Sequence, residues 1–252
     1  GSMEQKELAE YRQNKQANEA KLQELAVMSE NLQKNMSLLS KLRQQVGENM
    51  KASGMQVDSS VTSSETKKEE KYAGKGGPNG YGVSGLSIVL EQNKNLQENM
   101  KSEIKDWEKL LTNIKSESYR ISVTPNAWPV EDGFVSSEYG SRLNPFDESS
   151  GDFHPGIDIA AAYGEPIYAS ASGYVQQAGW YGGYGKYINI SHDYGYETAY
   201  GHLSNIEVKN GEFVNKGDLI GHVGSTGYST GPHLHFEIKY YGSGIDPRTL
   251  LK

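Results

Sequence analysis

Residues 233–240 read His-Leu-His-Phe-Glu-Ile-Lys-Tyr, and this stretch decides the fold of half the chain. Apolar Leu234, Phe236 and Ile238 alternate with polar His233, His235 and Glu237, which is the period of a strand and not of a helix. His233 and His235 therefore point the same way, about 6–7 Å apart along the backbone, and Glu237 shares their face. The strand itself is read as 234–240, and short runs of the same texture, bounded by Gly, Asn or Asp, recur at 166–169, 173–178, 187–192, 198–203 and 219–223. Asp193-Tyr194-Gly195 suits a hairpin between two of them, and Asn210-Gly211 and Lys216-Gly217-Asp218 mark further turns. Residues 123–252 are expected to form an all-β domain built largely of antiparallel sheet.

Upstream the texture is different. Gly1-Ser2-Met3 has the form of a scar left by a cleaved expression tag and is set aside, with any signal peptide or membrane anchor expected further upstream. Residues 4 to about 52 are polar and free of proline, with a seven-residue apolar repeat through Leu8, Tyr11, Leu22, Leu25, Leu32, Met36, Leu39, Val46 and Met50. Lys15, Asn18, Ser29 and Arg43 interrupt it. A second stripe runs through Leu86, Leu90, Leu96, Met100, Ile104, Trp107, Leu111 and Ile114. Between them, residues 53–85 are rich in Ser, Gly, Lys and Glu and read as a flexible connection. The pattern predicts an antiparallel helical hairpin or coiled coil over 4–122, on the order of 50–65 Å long; intermolecular pairing would give the same repeat. Such an arm serves as a spacer, a regulatory element or a partner-binding element, or simply as a structural coiled coil. The fold class is thus multidomain α + all-β.

Composition excludes several roles. With no cysteine there is neither a disulfide framework nor a thiolate metal ligand. No segment approaches the ~20 apolar residues of a membrane-spanning helix. The net charge of −7 is uneven: from Trp128 onward 7 Lys+Arg face 15 Asp+Glu, a balance of −8. That acidity argues against a nucleic-acid partner.

All six histidines lie in the β region. A catalytic zinc site needs three ligands from His, Asp or Glu and an open fourth position. His154, Asp158 and one histidine of the 233/235 pair supply such a set, with Pro155-Gly156 forcing His154 and Asp158 to converge through a turn rather than along a helix. The helical His-Glu-x-x-His arrangement is absent.

From about Val135 to Asp246 the sequence resembles the lysostaphin-like (LytM-type) zinc endopeptidases of peptidoglycan. The motifs are Ser-Glu-Tyr-Gly-Ser-Arg (137–142), His-Pro-Gly-Ile-Asp-Ile (154–159), Gly-Glu-Pro-Ile-Tyr-Ala (164–169), Tyr-Gly-His-Leu (200–203) and Gly-Ser-Thr-Gly-Tyr-Ser-Thr-Gly-Pro-His-Leu-His-Phe-Glu (224–237). The resemblance implies that His154, Asp158 and His235 bind Zn2+, while His202 and His233 stay off the metal and assist the chemistry. It implies hydrolysis of peptide cross-links or stem peptides of bacterial peptidoglycan, outside the cytoplasm in the cell envelope. Free imidazoles titrate near 6.5, so either can move a proton or, protonated, steady an oxyanion.

Other residues carry plainer readings. His192, at a strand end, suits a structural hydrogen bond, and His222 has no assigned role. Glu237 suits either orientation of a ligand or a core-edge position. Arg142 suits a substrate carboxylate or a loop brace. Tyr181, Tyr184, Tyr187, Tyr194 and Tyr196 suit a peptide groove or half-exposed sheet, with 180–185 as a mobile rim loop. Two rival functions stand beside hydrolysis: a non-catalytic regulator or activator of another wall hydrolase, and an enzyme whose cleft is covered by the arm or by residues 53–85.

Overall fold

The computed structural model describes residues 2–56, 83–144 and 147–252, without the side chains of 83–84 and 142–150. Most of the expected 53–85 connection and the side chain of Arg142 lie outside that description. The chain divides into two compact units, residues 1–118 and 119–252.

The first unit contains α1 (Ser2–Ala52) and α2 (Val83–Val123) up to Ser118. Neither helix contains proline, and each buries one stripe against the other. Met28, Leu39, Leu42 and Val46 of α1 and Leu90, Ile104, Leu111 and Ile114 of α2 are the buried residues. All fall on positions three and four apart, the spacing of a heptad seam. Cross-contacts advance in the same sense along both helices: Lys21 Nζ to Ser87 Oγ, Gln97 Nε2 to the Met28 carbonyl, Arg43 to Glu103. The pair is therefore parallel, which corrects the expected antiparallel hairpin. Apolar periodicity carries no direction, and a connection of some thirty residues is long enough for either sense. The seam also differs by one row. Leu8, Tyr11, Leu22, Met36 and Leu96, expected inside, are exposed: Leu8, Leu22 and Met36 share a third row of α1 that α2 does not cover, Leu96 lies on the corresponding outer row of α2, and Tyr11 precedes the level of Lys21 and Ser87 near the start of α2.

The second unit is a mostly antiparallel sheet in the order β1-β4-β11-β8-β7-β6-β9, with β10 pairing β5 and β8, β12 pairing β11, and β2–β3 a separate ribbon. Central to the site are β4 (Ile157–Ala160), β8 (Tyr196–Ile206) and β11 (His233–Tyr240). Five of the strands read from sequence appear with boundary shifts of one to three residues, and 219–223 coincides with β10 (Leu219–Val223). The hairpin between β7 (Lys186–Ser191) and β8 turns through Tyr194 (φ 58°) and Gly195 (φ 80°), the two left-handed residues of a type I′ turn. Strand β4 follows the Pro155-Gly156 turn and alternates Ile157, Asp158 and Ile159, as a strand fed by that turn should; β1 to β3, β9 and β12 were not read from the sequence, and several are short or polar.

One face of the sheet is core. Leu234, Phe236 and Ile238 of β11, Ile157 and Ile159 of β4, Ile188 and Ile190 of β7, and Tyr200 and Leu203 of β8 are all buried together. Strand alternation then places Asp158 of β4 and His233, His235 and Glu237 of β11 on the other face. Gly156 makes the β4–β11 approach possible: a Cβ there would lie 2.3 Å from the Phe236 carbonyl oxygen.

Candidate metal centre

Three strands and one ribbon bring the polar residues together. His154 ends β3 (Asp147–His154), and the Pro155-Gly156 turn feeds β4, where Asp158 pairs directly with His235 of β11. On its other side His235 pairs with Gly201 of β8. Next along β8, His202 sits at φ 63°, where one extra β8 residue is accommodated opposite β7. This left-handed bulge turns the His202 side chain onto the site face; bulges commonly re-aim side chains in this way. His202 and His233 ring centroids are 4.7 Å apart, and His202 and His235 6.0 Å apart.

The donor atoms converge closely. His154 Nε2, Asp158 Oδ1 and His235 Nδ1 are separated by 3.1 Å (His154–Asp158), 2.8 Å (His235–Asp158) and 3.2 Å (His154–His235). A tetrahedron with bonds of about 2.0–2.1 Å has edges of about 3.3 Å. The other ring nitrogens are committed. His154 Nδ1 lies 2.9 Å from the Glu138 carbonyl oxygen and His235 Nε2 lies 3.0 Å from Glu237 Oε1. Both acceptors require N–H there, which leaves His154 Nε2 and His235 Nδ1 as lone pairs. Two lone pairs and a carboxylate oxygen facing one another need a shared cation, so these residues fit a divalent metal.

The electrostatics agree. Asp158 is held well below the usual carboxylate range: its burial, which opposes ionisation, is outweighed by the facing His154 and His235 rings whenever a positive charge is held at their Nε2 and Nδ1. Burial alone would lower His235, but the Asp158 and Glu237 carboxylates push it up to about 9. The pocket favours positive charge at this point. Glu237, itself buried, is lowered by His235 and by Tyr184, whose hydroxyl donates to Oε1 at 2.6 Å.

The two remaining histidines stand apart from the three donors. Nδ1 of His202 lies 2.8 Å from the Thr226 carbonyl oxygen, and Nδ1 of His233 lies 2.8 Å from that of Gly231. Each therefore presents Nε2 as its free nitrogen when neutral, with His233 Nε2 3.8 Å from Asp158 Oδ1. Burial lowers His202, against the pull of the Thr226 carbonyl.

Glu237 thus orients His235, the first of its two sequence readings. His192 is a structural residue, with Nδ1 2.7 Å from the Ser172 carbonyl oxygen and Nε2 2.8 Å from Thr198 Oγ1. His222 lies 3.4 Å from Glu207, away from the donors. The five tyrosines divide. Tyr181, Tyr184 and Tyr187 form one cluster, with the Tyr184 ring 5.4 Å from that of His235, whereas Tyr194 packs on Tyr119 and Tyr196 on Tyr240. The orienting carbonyls of Glu138, Thr226 and Gly231 were invisible in the sequence, since any residue supplies a carbonyl.

An antiparallel sheet bearing a His/Asp/His donor set with two uncommitted histidines beside it is the layout of a metallopeptidase domain. Residues 152–247 match the model of peptidase family M23, and through this domain the chain belongs to that family. It is 45% identical over 113 residues to the DD-carboxypeptidase/endopeptidase Mpg of Neisseria meningitidis, covering 45% of this chain and 26% of that protein. It is 42% identical over 97 residues to the peptidoglycan DD-endopeptidase ShyC of Vibrio cholerae, covering 38% of this chain and 22% of ShyC. Among solved structures, a catalytic-domain mutant of the prophage-encoded M23 protein EnpA from Enterococcus faecalis is 35% identical, covering 49% of this chain and 95% of that one with a TM-score of 0.43. The chain spans about a quarter of the length of the curated relatives it matches.

Proposed function

We propose that the chain is a zinc-dependent endopeptidase that hydrolyses peptide cross-links or stem peptides of bacterial peptidoglycan. The observation that carries this reading is the set of three converging acceptors, His154 Nε2, Asp158 Oδ1 and His235 Nδ1, flanked by two histidines that each expose Nε2. His154, Asp158 and His235 would hold the metal, and zinc bound there would supply Lewis acidity toward the scissile carbonyl and the attacking water.

His202 takes the proton of that water at Nε2. Its tautomer is fixed by Thr226, and burial keeps it neutral at pH 7. His233 turns Nε2 toward the same space, 3.8 Å from Asp158 Oδ1, where it can meet the oxyanion or the leaving amine. Glu237 and Tyr184 hold the His235 ring in place. No covalent intermediate is needed. The activities named for Mpg and ShyC support peptidoglycan, and hence the cell envelope, as the place of action; in this reading the helical unit is a regulatory or partner-binding arm.

The test is to measure bound zinc and to digest purified peptidoglycan with the full chain and with His154→Ala, identifying released peptides by mass. Zinc-dependent release of cross-link products, lost in the variant, is the expected outcome. Zinc binding without cleavage would instead favour a non-catalytic regulator, and a chain that binds no zinc would overturn the metal reading.

A further inference from the structure

We propose that Arg248 is a positioning residue for the metal centre: its grip on the Glu138 carboxylate sets the main-chain carbonyl that orients the His154 ring. Its role rests on the proposed binding of a divalent metal at His154, Asp158 and His235. Metal binding through His154 Nε2 requires the ring proton on Nδ1, and the acceptor for that proton is the Glu138 carbonyl oxygen, 2.9 Å away. This carbonyl belongs to no strand. Pairing of β1 (Phe134–Ser137) with β4 ends at Ser137, and pairing of β2 (Gly140–Asn144) with β3 begins at Gly140, opposite His154 itself. Glu138 and Tyr139 are the two-residue link between them.

Both residues of the link are held instead by side-chain bonds to residues 244–248. Arg248 Nη2 donates to Glu138 Oε1 at 2.8 Å and its Nε to Oε2 at 3.3 Å, a two-point fork that fixes direction as well as distance. The Tyr139 hydroxyl donates to the Gly244 carbonyl oxygen at 3.0 Å. Arg248 is itself tied down. Its main-chain N–H donates to Asp246 Oδ1 at 2.9 Å, the neighbouring Pro247 is buried, and its guanidinium lies 5.8 Å from the centre of the Trp128 ring. Glu138 and Arg248 both fall outside residues 152–247, the stretch that matches the family model. An ion pair so open to water, with its side chains 60% and 45% exposed, adds little to folding stability. What the fork supplies is aim: a shift of the Glu138 carbonyl leaves His154 Nδ1–H without its acceptor and the ring able to turn.

Charge and position predict opposite signs here. Arg248 is a cation near a cation site, so if it acted only through its charge, Arg248→Gln would tighten zinc binding. As a positioning residue its loss weakens zinc binding, by about five- to tenfold, near the lower end for groups that orient metal ligands. Arg248→Lys keeps the charge but not the planar fork and should weaken binding in the same direction. The measurement is Zn2+ affinity of the full chain in competition with a chromophoric chelator, beside urea unfolding of the same variants with excess chelator. Weaker binding in both variants, with the metal-free unfolding midpoint within error of wild type, is the expected result. Tighter or unchanged binding in Arg248→Gln, while wild type binds zinc, would overturn this role alone. So would a loss of affinity matched by an equal loss of metal-free stability, which a merely structural tie would give. A wild type that takes up no zinc would overturn the metal centre and this role with it. Should Arg248→Gln fail to fold, Arg248→Lys decides by the same two readings, and unchanged affinity in it would overturn the role.

Discussion

His192 should make the β unit acid-sensitive in a defined window. Its ring is buried, and burial, reinforced by the Lys216 charge and only partly offset by the Ser172 carbonyl, lowers its pKa to about 4. In the unfolded chain it titrates near 6.5. Between those values the unfolded state binds more protons than the folded one, so stability is full above about 6.5 and falls as pH drops toward 4. At about 1.4 kcal/mol per pKa unit, the loss reaches roughly 3 kcal/mol at pH 4. The perturbation is His192→Gln, and the assay is urea unfolding from pH 7.5 to 4 with excess chelator, so that metal release contributes nothing. In a Trp107→Phe background, fluorescence reports the β unit through Trp128 and Trp180. Wild type should lose about 3 kcal/mol more than the glutamine variant over this range, even though the variant starts lower at pH 7.5 for want of its hydrogen bonds. Parallel curves for the two proteins would refute the reasoning.

Other outcomes follow from the same contacts. Glu237→Gln should weaken zinc binding about 10–100-fold in competition with a chromophoric chelator, and Tyr184→Phe should act in the same direction but less; unchanged affinity in both would remove their orienting role. Gly156→Ala puts a Cβ 2.3 Å from the Phe236 carbonyl oxygen, a backbone atom that cannot yield without parting β4 from β11. The expected cost in thermal or urea unfolding is about 3 kcal/mol or more. Because His202 holds φ 63°, His202→Gly should be more stable than His202→Ala by about 1 kcal/mol while both lose peptidase activity; equal stabilities would argue against strain at the bulge.

The sequence was most legible where one physical rule acted alone. Alternation in 233–240 gave β11 and the shared face of His233, His235 and Glu237, and Asp-Tyr-Gly gave the β7–β8 hairpin. It was least legible where structure depends on a partner. Nothing local says that α1 and α2 run parallel, or that Met28 and Leu42 face the seam while Leu22 and Met36 do not. Strand β4 could be read from the turn that feeds it and from Ile157-Asp158-Ile159, whereas β2–β3 is too polar to alternate. Around the metal centre the side-chain donors could be read, but the carbonyls that fix each tautomer could not. Tyr184 fell within a group of five tyrosines and had no signal to set it apart from Tyr194.

Strand β11 carries the buried Leu234, Phe236 and Ile238 on one face and His233, His235 and Glu237 on the other. A slip of one residue in its pairing would exchange the two sets, drowning three polar side chains in the core and stranding three apolar ones in water. Such a chain would be too unstable to persist. The hydrophobic core therefore acts as a proofreader for the chemistry: any copy that folds well enough to survive has its histidines facing the right way, and misassembled copies are removed by the ordinary fate of unfolded protein.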